Sequence, residues 1–388
     1  MIRTLAMLVP LALLGACGGS DSPSTPATHA IHYASRCGLP DSAAEPYRTT
    51  APTGPHCVGA AEYLVKDDTR PETLDGMPGD RLSVQVRVLY PAAARSSGVR
   101  MPYAGEAVYA QTEWLPATLR AQGHAWREAV PGIDQPAPVL LFSPGLGANA
   151  EVYAGLTEEL ASHGYVVVTI NHPYVSGVTP LPDGRLARYD ATQDEGDGEY
   201  DDEDEAADRA RGAARIAVTM ADEGAVLDWL ARQNAAPGGL LAGRLDMGRI
   251  GAFGHSFGGA TAMQVLRTDP RVKAAVDIDG TIHGDIDQPW TKPFMLLQSV
   301  LMIDGQRIEE DTMKAVWETR RGPGQREVLE GTCHGDFGDA HRLVNVYNAR
   351  RLADPVALAA DLFCTQDADG VERTVRTRLL DFFGRYLR

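Results

Sequence analysis

The chain has 388 residues, 44% of them hydrophobic, enough to bury a large core as one α/β unit or two smaller ones. Its 52 acidic and 36 basic side chains give a formal net charge of −16. That balance argues against nucleic acid as a partner and against a polyanionic substrate, because binding phosphate needs clustered Lys and Arg.

In chain order, Met1, Ile2 and Arg3 carry a positive end, and Leu5 to Leu14 form an apolar run too short to span a bilayer. This predicts an export signal. Its end, Leu14-Gly15-Ala16-Cys17, is similar to the lipobox of bacterial lipoproteins, which implies a signal peptide over 1–16 and acyl chains on Cys17. The expected location is therefore outside the cytoplasm, anchored to a membrane through Cys17 in the periplasm or at the cell surface. An ordinary secretory signal with a cysteine nearby is the alternative. Residues 17–35, rich in Gly, Ser, Pro and Thr, read as a flexible tether, leaving 36–388 as a single domain. Four further cysteines, Cys37, Cys57, Cys333 and Cys364, suit two disulfides in an oxidising compartment. Three connectivities are open, and loop closure favours the near pairs. No clustered Cys/His spacing suggests a metal site.

The next elements alternate. Leu82, Val84, Val86, Val88 and Tyr90 alternate with polar residues as a half-buried strand does. Val139 to Phe142, Val166 to Val168, Ile250 to Phe253, Ala274 to Ile278 and Phe294 to Leu297 are continuous apolar runs suited to the centre of a parallel sheet. Helical patterns lie between them, over Ala150 to His163, Gly212 to Gln233 and Gly259 to Arg267, and a last amphipathic one runs from Val375 to Leu387. The expectation is a doubly wound, mostly parallel sheet flanked by helices. An acidic insertion at about 190–209 contains DEGDGEYDDEDEAAD and reads as a solvated loop. Calcium binding is the sharper alternative, though the spacing does not match an EF-hand, and its position would also suit a flap over a site.

Chemistry concentrates at Gly254-His255-Ser256-Phe257-Gly258, a G-x-S-x-G turn between a strand and a helix. There Ser256 is aimed off the sheet with helix-start N–H groups around it. A serine nucleophile needs a base and a residue that orients the base, both at later strand ends. His334 follows the short strand Arg326 to Glu330, whereas His283 and His341 lack one and His255 faces the wrong way for a base. The acid is Asp279 or, as a fallback, Asp277; alternation places both on one face, with Asp279 nearer the strand end where ligands bind. The loop Phe142 to Asn149 follows an early strand, so the amides of Leu146 and Phe257 are the expected oxyanion donors.

Together, Phe142-Ser143 with Gly145-Leu146-Gly147, the block Gly254 to Thr261, Asp277-Ile278-Asp279, and Gly331-Thr332-Cys333-His334 with Phe337 and Asp339 resemble the plasma-type platelet-activating factor acetylhydrolase family. Asn171-His172-Pro173-Tyr174 and Pro182-Asp183-Gly184-Arg185 are similar to a segment of its bacterial members. The resemblance implies an α/β-hydrolase fold and a serine-dependent carboxylic-ester hydrolase, with Ser256, Asp279 and His334 as triad and no cofactor or metal. It favours Asp279 over Asp277, and it suggests short-acyl or lipid-like esters as substrates. Pro144 departs from the histidine that many relatives carry in the oxyanion loop. An amidase or peptidase using the same residues, or a non-catalytic surface-binding protein of the same fold, are the competing readings.

Overall fold

In the computed structural model the described residues are 33, 36–37, 48–71, 81–93, 98–111, 121–189, 205–300, 302–303, 306–307, 311–350, 363–365 and 367–388. The signal region, Cys17, nearly all of the tether and residues 190–204 of the acidic insertion lie outside them.

The apolar runs become strands because each can be covered on both sides. The strands are β1 (Cys57–Pro71), β2 (Arg81–Ala92), β3 (Arg100–Pro102), β4 (Gln122–Arg127), β5 (Ala137–Ser143), β6 (Val166–Asn171), β7 (Val178–Pro180), β8 (Leu186–Arg188), β9 (Leu245–His255), β10 (Val272–Ile278), β11 (Phe294–Gln298), β12 (Met302–Ile303), β13 (Gln306–Arg307) and β14 (Gly324–Val328). Ten of them form one sheet in the order β14-β11-β10-β9-β5-β6-β2-β1-β4-β3. From β14 to β6 all neighbours run parallel, and β2 is antiparallel to both β6 and β1.

Alternate side chains of the parallel strands feed two separate cores. Val139 and Leu141 of β5 join Ile250 and Ala252 of β9 under the long helix Glu205–Ala235 and the helix Phe257–Thr268. Leu140, Phe142 and Phe253 point the other way, beneath the helices Ala154–Ser162 and Ala368–Leu387. This is the doubly wound arrangement that uninterrupted apolar strands predict.

Two elements differ from their sequence patterns. The alternation that predicts a half-buried strand holds through the middle of β2, where Val84, Val86 and Val88 are buried and Gln85 and Arg87 partly exposed, but both faces are covered at Ser83 and from Val88 to Ala92. Arg87 is accommodated there by bonds to Glu62 and to the Tyr103 carbonyl. The last helix begins at Ala368, two turns before Val375, because the Asp367 side chain accepts the Gly370 N–H at 2.8 Å and caps it. Of the three cysteine connectivities, the structure has the two near pairs, Cys37–Cys57 and Cys333–Cys364. Among the described residues, no helix is long and apolar enough to cross a membrane.

Phe383 anchors the last helix to the sheet, fully buried against Phe253, Tyr165 and Phe382. Phe383→Ala is expected to lower the unfolding free energy by about 3–5 kcal/mol in denaturant titration. A loss below about 1 kcal/mol would mean that this helix lies outside the cooperative unit.

Candidate active site

β9 runs straight into Ser256, whose φ of 55° and ψ of −125° turn the chain sharply into the helix Phe257–Thr268. A non-glycine residue at positive φ is strained and persists only where its surroundings hold it. Here the Ser256 N–H donates to the Ile278 carbonyl at the end of β10, 2.8 Å away. The glycines around it are demanded by backbone contact. A Cβ on Gly254 would overlap the Gly258 backbone, one on Gly258 would overlap the Ser143 carbonyl, and one on Gly145 would stand 3.3 Å from the Ser256 Cβ. The two glycine loops are thus packed directly on one another.

Asp279 follows β10 and has a φ of 58°. Its Oδ2 lies 2.8 Å from His334 Nδ1 and 2.7 Å from the Ser299 hydroxyl, and its Oδ1 accepts the Ser299 N–H at 2.6 Å. Burial would push this carboxyl up, but the bond and charge of His334 and the two Ser299 donors outweigh it and hold the group below its ordinary range. A carboxylate only accepts, so His334 Nδ1 carries the hydrogen, and in the neutral ring Nε2 is the acceptor. The expectation that Asp277 and Asp279 share a face is not met. The positive φ at Asp279 breaks the alternation, and Asp277 stays fully buried beneath the elbow, where it accepts the Gly280 N–H at 2.9 Å.

His334 sits at the start of a short 3-10 turn, His334–Phe337, in a loop held from below. The buried Asp336 carboxylate accepts the N–H groups of Cys333, Cys364 and Thr365 and lies 2.7 Å from His341 Nδ1, while the disulfide joins Cys333 to Cys364. The His334 side chain is 45% exposed. Its ring stacks on that of His255 with centroids 4.5 Å apart, which brings it beside the elbow. The Ser256 hydroxyl and His334 Nε2 make no hydrogen bond to each other among the described residues. In free enzymes such a contact is commonly long and tightens around substrate.

On the opposite side, the loop after β5 is fixed by two bonds, Ala148 N–H to the Gly145 carbonyl and Gly147 N–H to the Val175 carbonyl. The Leu146 amide lies between them, and Phe257 is the first residue of its helix, without an acceptor one turn back. Among the described residues, neither N–H donates to a protein acceptor.

Beneath this loop is a second serine, histidine and aspartate set. The Ser143 hydroxyl lies 2.8 Å from Glu223 Oε1 and 3.0 Å from His172 Nε2, and His172 Nδ1 lies 2.8 Å from Asp222 Oδ2, while Asp222 Oδ1 pairs with Arg70. Ser143, His172 and Asp222 are all buried, so no substrate carbonyl reaches them. Burial pushes Glu223 up to about 8, with the charges of Asp222 and Asp269 adding to the effect, so its carboxyl is neutral at pH 7. Ser143 and His172 enter from the sequence only through the family resemblance, and Asp222, Glu223, Ser299, Asp336 and Tyr153 are not singled out by it at all. Ser299 alone had a usable signal, since it follows β11 at the same end of the sheet as Asp279.

One group of potential metal ligands comes together among the described residues, His255, Asp279 and His334, with ligand atoms within 4.8 Å of one another. Most of those atoms already have protein partners, including both nitrogens of His255.

A family model described as platelet-activating factor acetylhydrolase, isoform II, matches residues 43–181 and 238–344, more than half of the chain. Between these segments lie the acidic insertion and the long helix. A probable 1-alkyl-2-acetylglycerophosphocholine esterase from Arthroderma benhamiae is 26% identical over 151 residues, 38% of this chain and 32% of that one. The platelet-activating factor acetylhydrolase of Cavia porcellus is 30% identical over 176 residues, 39% of this chain and 38% of that one. That of Gallus gallus is 25% identical over 331 residues, 76% of this chain and 74% of that one. The matches thus span only 32% and 38% of the first two relatives' own length. Among solved structures, a ferulic acid esterase from Streptomyces cinnamoneus superposes with a TM-score of 0.73 at 24% identity, over 89% of this chain and 94% of that one. The architecture is the α/β-hydrolase fold.

The buried titratable groups oppose one another in their effect on stability. Burial lowers His255 to about 3 and His124 to about 4, so between pH 6.5 and those values the unfolded chain takes up protons that the native state refuses. Stability from these groups is lost as pH falls. Burial raises Glu223 and Asp339 to about 8, so the unfolded chain releases protons that the native state keeps above pH 4.5, and stability is lost as pH rises toward 8. Tm followed by circular dichroism should therefore be highest between about pH 4.5 and 6.5 and fall on both sides. Glu223→Gln should flatten the alkaline fall, whereas a Tm that climbs from pH 6.5 to 8.5 would mean that both acids are ionised in the native state.

Proposed function

The chain belongs to the platelet-activating factor acetylhydrolase, isoform II, family, and from that premise we propose that it is a serine-dependent carboxylic-ester hydrolase acting on short-acyl or lipid-like esters. The observation that carries this reading is the Asp279–His334 pair standing beside a strained Ser256 elbow, with the ring of His334 against the residue that precedes the serine.

Ser256 Oγ attacks the ester carbonyl while His334 Nε2 takes its proton. Asp279 remains ionised, holds the tautomer through Nδ1, and offsets the imidazolium charge. The carbonyl oxygen, now negative, accepts from the Leu146 and Phe257 N–H groups, each such donor worth on the order of 3 kcal/mol in the barrier. His334 then gives the proton to the departing alcohol, leaving an acyl group on Ser256. Water then attacks the acyl carbon while His334 takes its proton, and the C–O bond to Ser256 breaks as His334 returns that proton to Oγ, releasing the acid and restoring the serine. Pro144 offers no side-chain donor to this site, so backbone amides supply the oxyanion contacts on that side.

The expected membrane partner is a lipid anchor at Cys17, with the tether carrying the domain at the membrane surface. Cys17→Ala should move the protein from the membrane to the soluble fraction with its specific activity intact. An unchanged distribution would remove the anchor from the reading.

Ser256→Ala should reduce hydrolysis of a p-nitrophenyl short-chain ester by at least about 10³-fold with an unchanged Tm, and a fluorophosphonate should label Ser256 in the parent alone. Retained turnover in the variant would overturn the mechanism. Faster cleavage of a matched amide than of the ester would favour an amidase, and no labelling of a folded parent would favour a binding protein.

A further inference from the structure

The histidine immediately before the nucleophile has no part in the chemistry described above, yet both of its ring nitrogens are engaged. His255 Nε2 lies 2.9 Å from the backbone carbonyl oxygen of His334, and its Nδ1 lies 2.8 Å from the Tyr153 hydroxyl. A carbonyl oxygen can only accept, so Nε2 carries the hydrogen. Burial, reinforced by the neighbouring His334, keeps the imidazole neutral at working pH. A neutral imidazole has one N–H, so Nδ1 must accept and Tyr153 must donate. Tyr153 is buried in the 3-10 turn Ala150–Tyr153, and burial pushes its phenol up, so it retains its proton. The phenol oxygen lies beside the Gly145 backbone, one residue from the Leu146 amide.

We propose that Tyr153 and His255 form a positioning relay, Tyr153 O–H to His255 Nδ1 and His255 Nε2–H to the His334 carbonyl, that sets the base's loop in register with the oxyanion loop. The inference rests on the esterase reading, because it assigns His334 a geometry that only matters if His334 is the base. Two anchors are needed to place an imidazole. Asp279 fixes the ring at Nδ1, and His255 fixes the backbone from which the ring hangs. The rings of Tyr153, His255 and His334 follow one another at 5.6 and 4.5 Å, and Phe337 closes the far side of His255 at 5.9 Å. His255 and Tyr153 are both buried, so neither contacts substrate and both act through His334. The charged groups facing His255 are Asp279 and, once protonated, His334. A neutral ring at this position adds no repulsion when the imidazolium forms.

The test compares Tyr153→Phe, His255→Phe and His255→Gln with the parent on a p-nitrophenyl short-chain ester, with Ser256→Ala alongside. Misplacing a catalytic group by about 1 Å costs on the order of 10²-fold in rate. His255→Phe is therefore expected to lower kcat about 100-fold and Tyr153→Phe about 10-fold, with KM within about 2-fold of the parent. His255→Gln keeps an N–H that can reach the His334 carbonyl and should recover at least 10-fold of the loss. The downfield proton resonance of the His334–Asp279 bond should broaden in His255→Phe and sharpen again in His255→Gln. A folded His255→Phe with kcat within 2-fold of the parent, or a His255→Gln no better than it, overturns the relay. If His255→Phe does not fold, Tyr153→Phe decides alone, and parent-like kcat there overturns it. An inactive Ser256→Ala beside a fully active His255→Phe sinks the relay only, whereas an active Ser256→Ala sinks the esterase reading and the relay with it.

Discussion

The close approach of two backbones governs this molecule. The loop after β5 and the turn after β9 meet at Gly254, Gly258 and Gly145, where even one methyl carbon would overlap or crowd the other segment. That contact is possible because β5 and β9 are parallel neighbours ending at the same level, with Ser143 paired to Gly254. It holds Ser256 in a conformation that an isolated chain would leave, at the start of the helix that begins with Phe257. The strain at Ser256 and at Asp279 is local, while the apolar packing that sustains it is spread over both faces of the sheet.

Two buried carboxyls near this contact, Asp279 and Glu223, are pushed in opposite directions by their surroundings. Asp279 faces His334 and both donors of Ser299, which overcome the cost of burial and keep it charged. Glu223 meets the Ser143 hydroxyl at one oxygen, and its other oxygen has no partner, so the proton remains. The proposed chemistry needs this separation. A charged carboxylate beside His334 stabilises an imidazolium, whereas a second fixed charge under the oxyanion loop would oppose the negative oxygen that forms there.

The loop that carries the proposed base is held mostly by groups that take no part in the proposed chemistry. His334 is half exposed, yet Asp336 gathers three backbone N–H groups beneath it, a disulfide closes the loop and His255 holds its carbonyl. Rigid support of this kind keeps an exposed side chain within the narrow range of positions that proton transfer tolerates.

Much of the fold was legible in the sequence because its signals are local. Continuous apolar runs such as Val139 to Phe142 and Val166 to Val168 suit strands covered on both sides, and a glycine-flanked serine between a strand and a helix suits a tight turn. The order of candidate residues along the chain also limited the choice of base. Alternation describes the middle of β2 but not its covered ends, and it places Asp277 and Asp279 on one face, which the structure does not. Only tertiary structure separated those two aspartates, joined Ser299 to one of them, and brought Tyr153, His255 and His334 into line. Those outcomes depend on backbone dihedrals at strand ends and on hydrogen bonds between residues 20 to 102 positions apart, such as Ser299 with Asp279 and Tyr153 with His255. Periodicity records which side of a strand faces the core, and it carries no information about which distant partner waits there.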